Sequence, residues 1–274
     1  MTEPVEQWTT LVTRVRASNP GPMTLDGTNS LVIRAPGHDG VVVVDPGPEE
    51  PEHLERLAGY APVELILVTH HHRDHTEGIG TLVAMTGAPV RAWDPAFSRD
   101  AAPLGDGERL DVAGTRIRVV ATPGHTRDSI SLHLPDDAAL GRSPLDSPRA
   151  GGTMVTGDTI LGRGTTVIVH PDGAVGPYLD SLDTLEGFGA IPALPAHGPM
   201  LPDLAAICRH YRGHRQLRLD QMRDVLRSLG AAPADDPALV DVVVDHVYGE
   251  IDPEVRFAAV ASTRAQLEYL AAIL

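Results

Sequence analysis

The chain has 274 residues, a hydrophobic fraction of 42% and a charged fraction of 22%, a composition typical of a folded globular protein and not of a disordered one. The formal net charge is −15 at pH 7, so the molecule as a whole does not attract phosphate backbones or anionic lipids, and a nucleic-acid substrate would need a local basic surface. Cys208 is the sole cysteine, which excludes an intrachain disulfide, and we interpret it as a buried thiol.

The N-terminal stretch MTEPVEQWTT is acidic and polar, unlike a signal peptide. No window approaches the roughly 18 or more uncharged apolar residues that a membrane helix needs. We therefore expect a cytoplasmic protein that does not enter a membrane, and the sequence leaves its oligomeric state open.

Short runs of β-branched residues predict strands at 11–16, 31–34, 41–45, 63–68, 116–121, 129–134 and 153–157. Between some of them lie helical patterns, at 51–60 and 76–85. The run VVVVD at 41–45 is apolar without alternation, which is typical of a strand buried on both faces. The mixture predicts sheets covered by helices.

From Pro202 onward the pattern is helical alone. Asp236 and Asp252 are each followed by proline, which predicts two helix N-caps with proline at the first helical position, and Gly230 ends the helix before them. We place a domain boundary near residue 200, which divides the chain into 1–200 and 201–274.

The stretch THHHRDHTEG at 69–78 places four histidines and an aspartate in six consecutive positions, directly after an apolar run. Imidazoles packed this tightly repel one another when protonated and are costly to bury without a ligand. Neutral imidazole and carboxylate are ligands that zinc prefers beside thiolate. A solvated polar loop is the alternative, and a tag remnant would be terminal and uninterrupted. The pattern favours a metal site.

Three further motifs each place one possible ligand beside glycine or proline at a predicted strand end: PGHT at 123–126, GDT at 157–159 and PAHGP at 195–199. With them the chain resembles the metallo-β-lactamase superfamily of hydrolases, whose pattern is His-x-His-x-Asp-His followed by single His, Asp and His positions. The resemblance implies an α/β (α+β) fold, a four-layer αββα sandwich, here with a C-terminal helical, winged-helix-like domain.

The resemblance also implies a ligand set. His70, His72 and His125 would hold one metal ion, Asp74, His75 and His197 would hold the second, and Asp158 would bridge the two. Asp45 would orient the histidine loop by hydrogen bonding. His71 and Arg73 occupy variable positions and are not expected to be ligands. The other histidines are expected to be surface or core residues: His38, His53, His133, His170, His210, His214 and His246.

Two zinc ions about 3.5–4 Å apart can hold a bridging hydroxide at neutral pH and can polarise the bond under attack. No serine, cysteine or threonine nucleophile is then needed. Asp74, or a metal-bound water, could pass a proton to the leaving group, which makes Asp74 and Asp158 the candidate catalytic residues. True β-lactamases of this superfamily carry no aspartate at the bridging position, so Asp158 argues against antibiotic hydrolysis.

Other segments resemble the β-lactamase-like protein 2 group: NPGPMTLDGTN at 19–29, LGRGTTV at 161–167, and AHGPML at 196–201 followed by HRQLR at 214–218. This group includes zinc-dependent endoribonucleases that act on single-stranded RNA, and related fungal thioesterases that act on carrier-bound polyketides. The resemblance implies substrate-binding roles for Asn19, Pro20, Gly21, His214, Arg215 and Arg218.

The segment 135–152 is rich in Pro, Gly, Ser and Asp, predicts a loop between two strands, and departs from the group. The predicted strand before it leads away from His125 at about 3.3 Å per residue, so we expect this loop to lie about 20 Å from the metals.

Single-stranded RNA is the first substrate hypothesis, because RHYRGHRQLR at 209–218 supplies four arginines and Tyr211 for base stacking. The alternative interpretation of this segment is a solvated helix face whose other stripe, including Leu204, Ile207 and Tyr211, packs on the core. A thioester or ester, as in hydroxyacylglutathione hydrolase or a carrier-protein thioesterase, needs no basic surface and would need an apolar channel. A non-catalytic binding protein is least favoured, since no ligand position is missing.

Overall fold

Two β-sheets lie face to face between two layers of helices in the structure, a computed structural model that describes residues 4–140 and 151–273. The first sheet has the strand order β1-β2-β3-β4-β5-β6 and consists of β1 (Val5–Gln7), β2 (Val12–Arg16), β3 (Asn29–Ile33), β4 (Val41–Val44), β5 (Val63–Leu67) and β6 (Val90–Arg91). The second has the order β11-β10-β9-β8-β7 and consists of β7 (Arg109–Val112), β8 (Thr115–Ala121), β9 (Ile130–Leu134), β10 (Thr153–Gly157) and β11 (Ala193–Pro195).

The helices divide between the two outer faces. One outer layer packs on the first sheet and contains α1 (Pro51–Ala58) and α3 (Ile79–Thr86), with the short α2 (Arg73–Thr76) before α3. The other packs on the second sheet and contains α4 (Val175–Glu186), α5 (Leu204–Leu229), α6 (Pro237–Tyr248) and α7 (Pro253–Ile273). The predicted four-layer αββα sandwich is confirmed.

Strand β4 shows why the layers form. All four of its valines are buried. Val42 and Val44 join the core between the two sheets, whereas Val41 and Val43 pack against the cluster that contains α1 and α3. Because successive side chains of a strand point to opposite faces, an unbroken apolar run fits a strand that is covered on both sides.

All seven predicted strands are present, and the differences concern short elements. Strands β1, β6, β7 and β11 were not predicted, because runs of three, two, four and three residues carry no periodicity that distinguishes a strand from a loop. Helix α4 was also not predicted. The helix predicted at 76–85 is present as α3 but begins three residues later, at Ile79, because Thr76 is the last residue of α2.

The C-terminal helices begin and end where the sequence predicts. Asp236 accepts a hydrogen bond from the Leu239 N–H as the N-cap of α6, and Gly230 ends α5 with a φ of +62°. Within residues 204–273 the structure contains three helices and no strand, so the wing of a winged helix is not found there. One hydrophobic cluster joins α4 to α5, α6 and α7, so the helices on both sides of residue 200 share a core.

Of the loop predicted at 135–152, residues 141–150 lie outside the described residues, and its predicted distance from the metals stays a prediction. At its beginning, the buried Asp137 carboxylate accepts hydrogen bonds from Thr9 Oγ1 at 2.6 Å, Leu11 N at 2.9 Å and Thr153 Oγ1 at 2.7 Å. Asp137 therefore links the N-terminal residues to the second sheet.

Cys208 is buried as predicted, and burial raises the pKa of its thiol to about 12. Among the described residues, no helix is both long and apolar enough to cross a membrane.

His53 on α1 is 1% exposed, and its Nε2 lies 2.8 Å from Ser30 Oγ. Burial, reinforced by Arg56, lowers the pKa of His53 from 6.5 to about 4. Protonation of His53 therefore favours the unfolded chain. The contribution of neutral His53 to the free energy of unfolding is fully present above pH 6.5 and is lost as the pH falls toward 4. The loss should reach about 3 kcal/mol, since one pKa unit is worth about 1.4 kcal/mol.

We expect the free energy of unfolding of His53→Gln to decrease less than that of the wild type between pH 7 and pH 4, by about this amount. Urea unfolding of both proteins at a series of pH values measures the difference. Parallel pH profiles would show that His53 does not titrate with unfolding.

Candidate metal centre

Four segments that carry potential ligands, and Asp45, each follow the carboxyl end of a strand. Asp45 follows β4, and the histidine loop follows β5, which is parallel to β4. In the second sheet β8 and β10 are both antiparallel to β9, and β11 is parallel to β10, so these three strands run in the same direction. They lead to His125, Asp158 and His197 respectively. The sheets therefore bring side chains that are distant in sequence to one edge of the sandwich.

A first group consists of His70, His72 and His125. Nδ1 of His72 lies 3.0 Å from Nε2 of His70 and 3.2 Å from Nε2 of His125. The opposite nitrogen of His125 faces the Val167 carbonyl at 2.7 Å, so it carries the proton and Nε2 presents a lone pair. His70 is held similarly, because its Nδ1 lies 3.1 Å from a Thr69 hydroxyl that itself donates to Asp45. Two lone pairs thus converge on His72 Nδ1, which has at most one proton to donate.

A second group consists of Asp74, His75 and His197. Oδ2 of Asp74 lies 3.4 Å from Nε2 of His75 and 3.2 Å from Nε2 of His197. Asp158 lies between the two groups: Oδ1 is 3.4 Å from Nε2 of His197, and Oδ2 is 3.7 Å from Nε2 of His125. The structure therefore brings all seven predicted ligands together, with Asp158 facing both groups.

Asp45 holds the loop that carries four of these side chains. Its Oδ1 accepts from the Thr69 N–H at 2.8 Å, and its Oδ2 accepts from Thr69 Oγ1 at 2.7 Å and from His75 Nδ1 at 2.9 Å. The backbone of Asp45 has a φ of +52°, a left-handed conformation that aspartate tolerates better than most residues. These bonds turn Nε2 of His75 toward Asp74 and Asp158.

The two groups differ in electrostatics. Burial, reinforced by the neighbouring imidazoles, lowers the pKa of His70 and of His72, the latter to about 4, and burial lowers the pKa of His125. In the second group burial disfavours protonated histidines, but the neighbouring carboxylates favour them more strongly. The pKa of His75 therefore rises well above its usual value, and that of His197 rises to about 9.

The acidic partners shift in the complementary direction. Burial favours neutral carboxyls, but His75 and His197 outweigh it and hold the pKa of Asp74 and Asp158 well below the usual range. The first group is therefore neutral at pH 7, whereas protons on two histidines balance the carboxylates of the second. A cation in the second group would replace those protons.

Unpaired atoms at the centre show that this donor set fits metal ions. Nε2 of His75, Nε2 of His197 and Oδ1 of Asp158 are buried and have no hydrogen-bond partner among the described residues. The N···N distances of 3.0 and 3.2 Å in the first group are near the roughly 3.3 Å expected for imidazoles around a tetrahedral zinc ion. Imidazole and carboxylate donors suit zinc and other transition metals.

The predicted substrate-binding residues lie in two places. Asn19 accepts from the Thr28 N–H at 2.8 Å and donates to Thr28 Oγ1 at 3.0 Å, and that hydroxyl lies 3.3 Å from Asp74 Oδ2. Pro20 follows Asn19, and Gly21 pairs with Leu25 through the backbone. The loop therefore reaches the second ligand group through Thr28, and contact between these residues and substrate stays a prediction.

The other three, His214, Arg215 and Arg218, line one cavity of about 250 Å³ together with Thr166 and Val167. The same two loop residues contact His125, since Thr166 Oγ1 lies 3.1 Å and the Val167 carbonyl 2.7 Å from its Nδ1. This cavity, referred to below as the α5–α7 cavity, is thus separated from the first ligand group by a single strip of chain.

The structure contradicts one part of the prediction that the basic segment on α5 binds RNA. Tyr211 is 1% exposed and its hydroxyl contacts Leu161, so its predicted role in base stacking is wrong. Arg209 pairs with Glu186 at 3.0 Å, and Arg212 pairs with Asp183. The alternative interpretation, in which one stripe of this helix packs on the core, is the one that the structure supports.

Sequence reasoning did not find the neighbours that orient the ligands. Val167 and Thr28 carry no signal, because a backbone carbonyl or a lone threonine is not a motif.

His71 lies outside both groups and forms a separate cluster, in which its Nδ1 is 2.7 Å from Asp128 Oδ1 and its Nε2 is 3.8 Å from Asp172 Oδ2.

Comparison with known proteins agrees with this geometry. Residues 23–140 match the family model described as metallo-beta-lactamase superfamily. The lactamase-like protein vrtG of Penicillium aethiopicum is 31% identical over 92% of this chain and 78% of its own length. A beta-lactamase-like protein 2 homolog of Caenorhabditis elegans is 28% identical over 98% of this chain and 86% of its own.

A third relative has an activity in its name. The atrochrysone carboxyl ACP thioesterase nsrC of Aspergillus novofumigatus is 29% identical over 93% of this chain and 76% of its own length. Among solved structures, a metallo-beta-lactamase family protein of Thermus thermophilus superimposes with a TM-score of 0.73 at 23% identity, covering 96% of this chain and 93% of that one.

Proposed function

The chain belongs to the metallo-beta-lactamase superfamily, whose members are generally metal-dependent hydrolases, and we propose that it hydrolyses acyl thioesters at a dinuclear zinc centre. The observation that carries the proposal is the convergence of seven imidazole and carboxylate side chains, among which Nε2 of His75, Nε2 of His197 and Oδ1 of Asp158 are buried without a hydrogen-bond partner within the described residues. His70, His72 and His125 would hold one ion, and Asp74, His75 and His197 the other, with Asp158 shared. Two bound ions would supply an activated water and polarise the thioester carbonyl.

The chain's own residues then position the reaction. The Val167 carbonyl and Asp45 fix the tautomers of His125 and His75, so that both present Nε2 to the centre. Asp74 is 27% exposed at its side chain, whereas His75 and His197 are fully buried. Asp74 is therefore the residue of the second group that a leaving thiol can reach. It would accept a proton and transfer it to the leaving thiol.

The choice of a thioester over RNA rests on where the arginines lie. Arg209 and Arg212 are paired with acidic residues, and the chain carries a net charge of −15, so these two arginines leave no unpaired guanidinium for a phosphate backbone. A thioester makes no such demand, and nsrC is named as a thioesterase.

Single-stranded RNA, the first hypothesis from sequence, is our second candidate. A cleft of about 430 Å³ lined by Trp8, Arg14, Arg16 and Arg163 also includes Gly198, the neighbour of His197. Arginine and an indole ring are groups that nucleic-acid sites use.

One pair of assays distinguishes the candidates. Zinc-loaded protein is expected to hydrolyse butyryl-N-acetylcysteamine, measured by thiol release, and Asp74→Ala is expected to lower kcat by about 100-fold or more, because it removes both a ligand and a proton acceptor. Labelled single-stranded RNA is tested with the same two proteins. Cleavage of RNA alone, lost in Asp74→Ala, would overturn the thioester assignment in favour of the second candidate. RNA cleavage that persists in the variant would be contamination.

A further inference from the structure

The α5–α7 cavity is basic in an otherwise acidic protein. Its lining includes His214, Arg215 and Arg218, and no aspartate or glutamate of the described residues lines it. None of these three side chains forms an ion pair with a described carboxylate, whereas Arg209 and Arg212 on the same helix both do. Two guanidinium groups that share one cavity without a counter-charge are costly. In a chain with a net charge of −15, they indicate that the cavity binds a ligand.

Arg215 supplies the second observation. It is 3% exposed, its Nη2 donates to the Thr166 carbonyl, and its guanidinium lies 5.3 Å from the centre of the Tyr178 ring. Its Nε is buried and has no hydrogen-bond partner among the described residues. A buried cation with an unpaired donor is costly unless an anion completes it.

Arg218 is fixed beside it and keeps unused donors. Its guanidinium lies 4.7 Å from the centre of the Tyr248 ring, and Nη1 donates to Val247 O at 2.9 Å and Gln221 Oε1 at 3.0 Å. Guanidinium has five N–H donors, so Nε and Nη2 remain for a ligand. A planar fork held in this way matches the two oxygens of a carboxylate.

The rest of the lining is mostly apolar. Ile251, Val255 and Ala258 contribute walls, with Ser262 as a hydroxyl group. A volume of about 250 Å³ equals about eight waters at about 30 Å³ each, which admits a short chain. The cavity therefore matches a few methylene groups that end in an anion.

We propose that the α5–α7 cavity binds a carboxylate at the far end of the substrate's acyl group, so that the preferred substrates are thioesters of short dicarboxylic acids. The inference rests on the proposed thioesterase function and places the acyl group, not the thiol arm, on the side of Thr166 and Val167. His125, on the other side of that strip, belongs to the centre where the carbonyl would react.

Three thioesters test it in one set of kinetics: butyryl-N-acetylcysteamine, which is neutral, glutaryl-N-acetylcysteamine, which has an acyl carboxylate, and butyryl-CoA, which carries phosphates on the thiol side. The expected order of kcat/KM has the glutaryl compound first by about tenfold or more, the range of one charge-assisted pair. Arg218→Gln and His214→Gln are expected to lose this preference, measured in each protein as the ratio of kcat/KM for the glutaryl compound to kcat/KM for the butyryl compound.

Arg209→Gln is the matched control, because Arg209 is on the same helix, is paired with Glu186 and does not line the cavity. It should keep the full preference. A preference for butyryl-CoA that Arg218→Gln removes would place the anion on the thiol side and overturn the proposal. So would equal turnover of the two N-acetylcysteamine esters.

Binding separates failure of this inference from failure of the proposed function. Calorimetry measures the binding of glutarate and of butyrate without turnover. Butyrate, which has a single carboxylate, is the reference for any carboxylate that binds at the metals. Tighter binding of glutarate in the wild type, lost in Arg218→Gln, would support the cavity assignment even if no thioester were hydrolysed. Equal binding of the two acids would overturn it even if butyryl thioester were hydrolysed.

Discussion

Replacing Asp158 with alanine is expected to lower kcat for thioester hydrolysis by about 10³-fold or more, and to reduce the transition-metal content of the purified protein. Asp158 faces both ligand groups, with Oδ1 3.4 Å from His197 and Oδ2 3.7 Å from His125. Its removal leaves each group with three side chains and takes away one of the carboxylates that face the protons on His75 and His197. Thiol-release kinetics and elemental analysis on the same samples measure both effects.

Asp172→Asn is the control for this experiment. Asp172 lies in the neighbouring cluster with His71 and Asp128, outside the seven side chains, so its change should leave kcat within about twofold and the metal content unaltered. Full metal content and near-normal kcat in Asp158→Ala would contradict the assignment of Asp158. Equal losses in both variants would mean that the second cluster is part of the centre.

Replacing Asp45 with asparagine is expected to weaken zinc binding by about 10- to 100-fold, the usual effect of removing a partner of a metal-bound histidine. Oδ1 of Asp45 accepts from the Thr69 N–H, Oδ2 accepts from Thr69 Oγ1 and His75 Nδ1, and an amide cannot accept at both of its ends. Asparagine keeps the size and the tolerance of a positive φ, so the backbone at +52° should persist. Competition with a chelating dye measures the zinc affinity, and activity should return as zinc is raised.

Asp100→Asn is matched to this variant, because Asp100 also has a positive φ, of +54°, and is exposed. Its zinc affinity should equal that of the wild type. Unchanged zinc affinity in Asp45→Asn would show that the carboxylate does not support His75. A loss of the same size in Asp100→Asn would show that the effect arises from the backbone.

The candidate ligands could be named because the motifs that carry the family resemblance are local. His70, His72 and His75 lie in one short motif, and His125, Asp158 and His197 each follow a strand end beside glycine or proline, whereas their assignment to two metal ions is what the resemblance implies. Parallel strands carry their carboxyl ends to one edge, so the fold brings those ends together. Strand β4 was predictable for a similar reason, since an unbroken run of valines has few alternatives to a buried strand.

The role of α5 could not be predicted because helical periodicity defines stripes without telling which one is buried. Tyr211 and Arg215 are four residues apart and share a stripe, and both are buried in the folded protein, where Tyr211 contacts Leu161 and Arg215 contacts Thr166. Contacts between distant residues were equally hidden. His71 and Asp128 are 57 residues apart, and Arg215 and Thr166 are 49 apart, so neither pair leaves a trace in one sequence.

Elemental analysis combined with anomalous diffraction from crystals of tag-free protein would show directly whether the seven side chains hold two ions. Two transition-metal ions per chain are expected, one at His70, His72 and His125 and one at Asp74, His75 and His197, with Asp158 in contact with both. Protein that binds no transition metal even after incubation with zinc, or binds it only at His71, Asp128 and Asp172, would contradict the dinuclear centre.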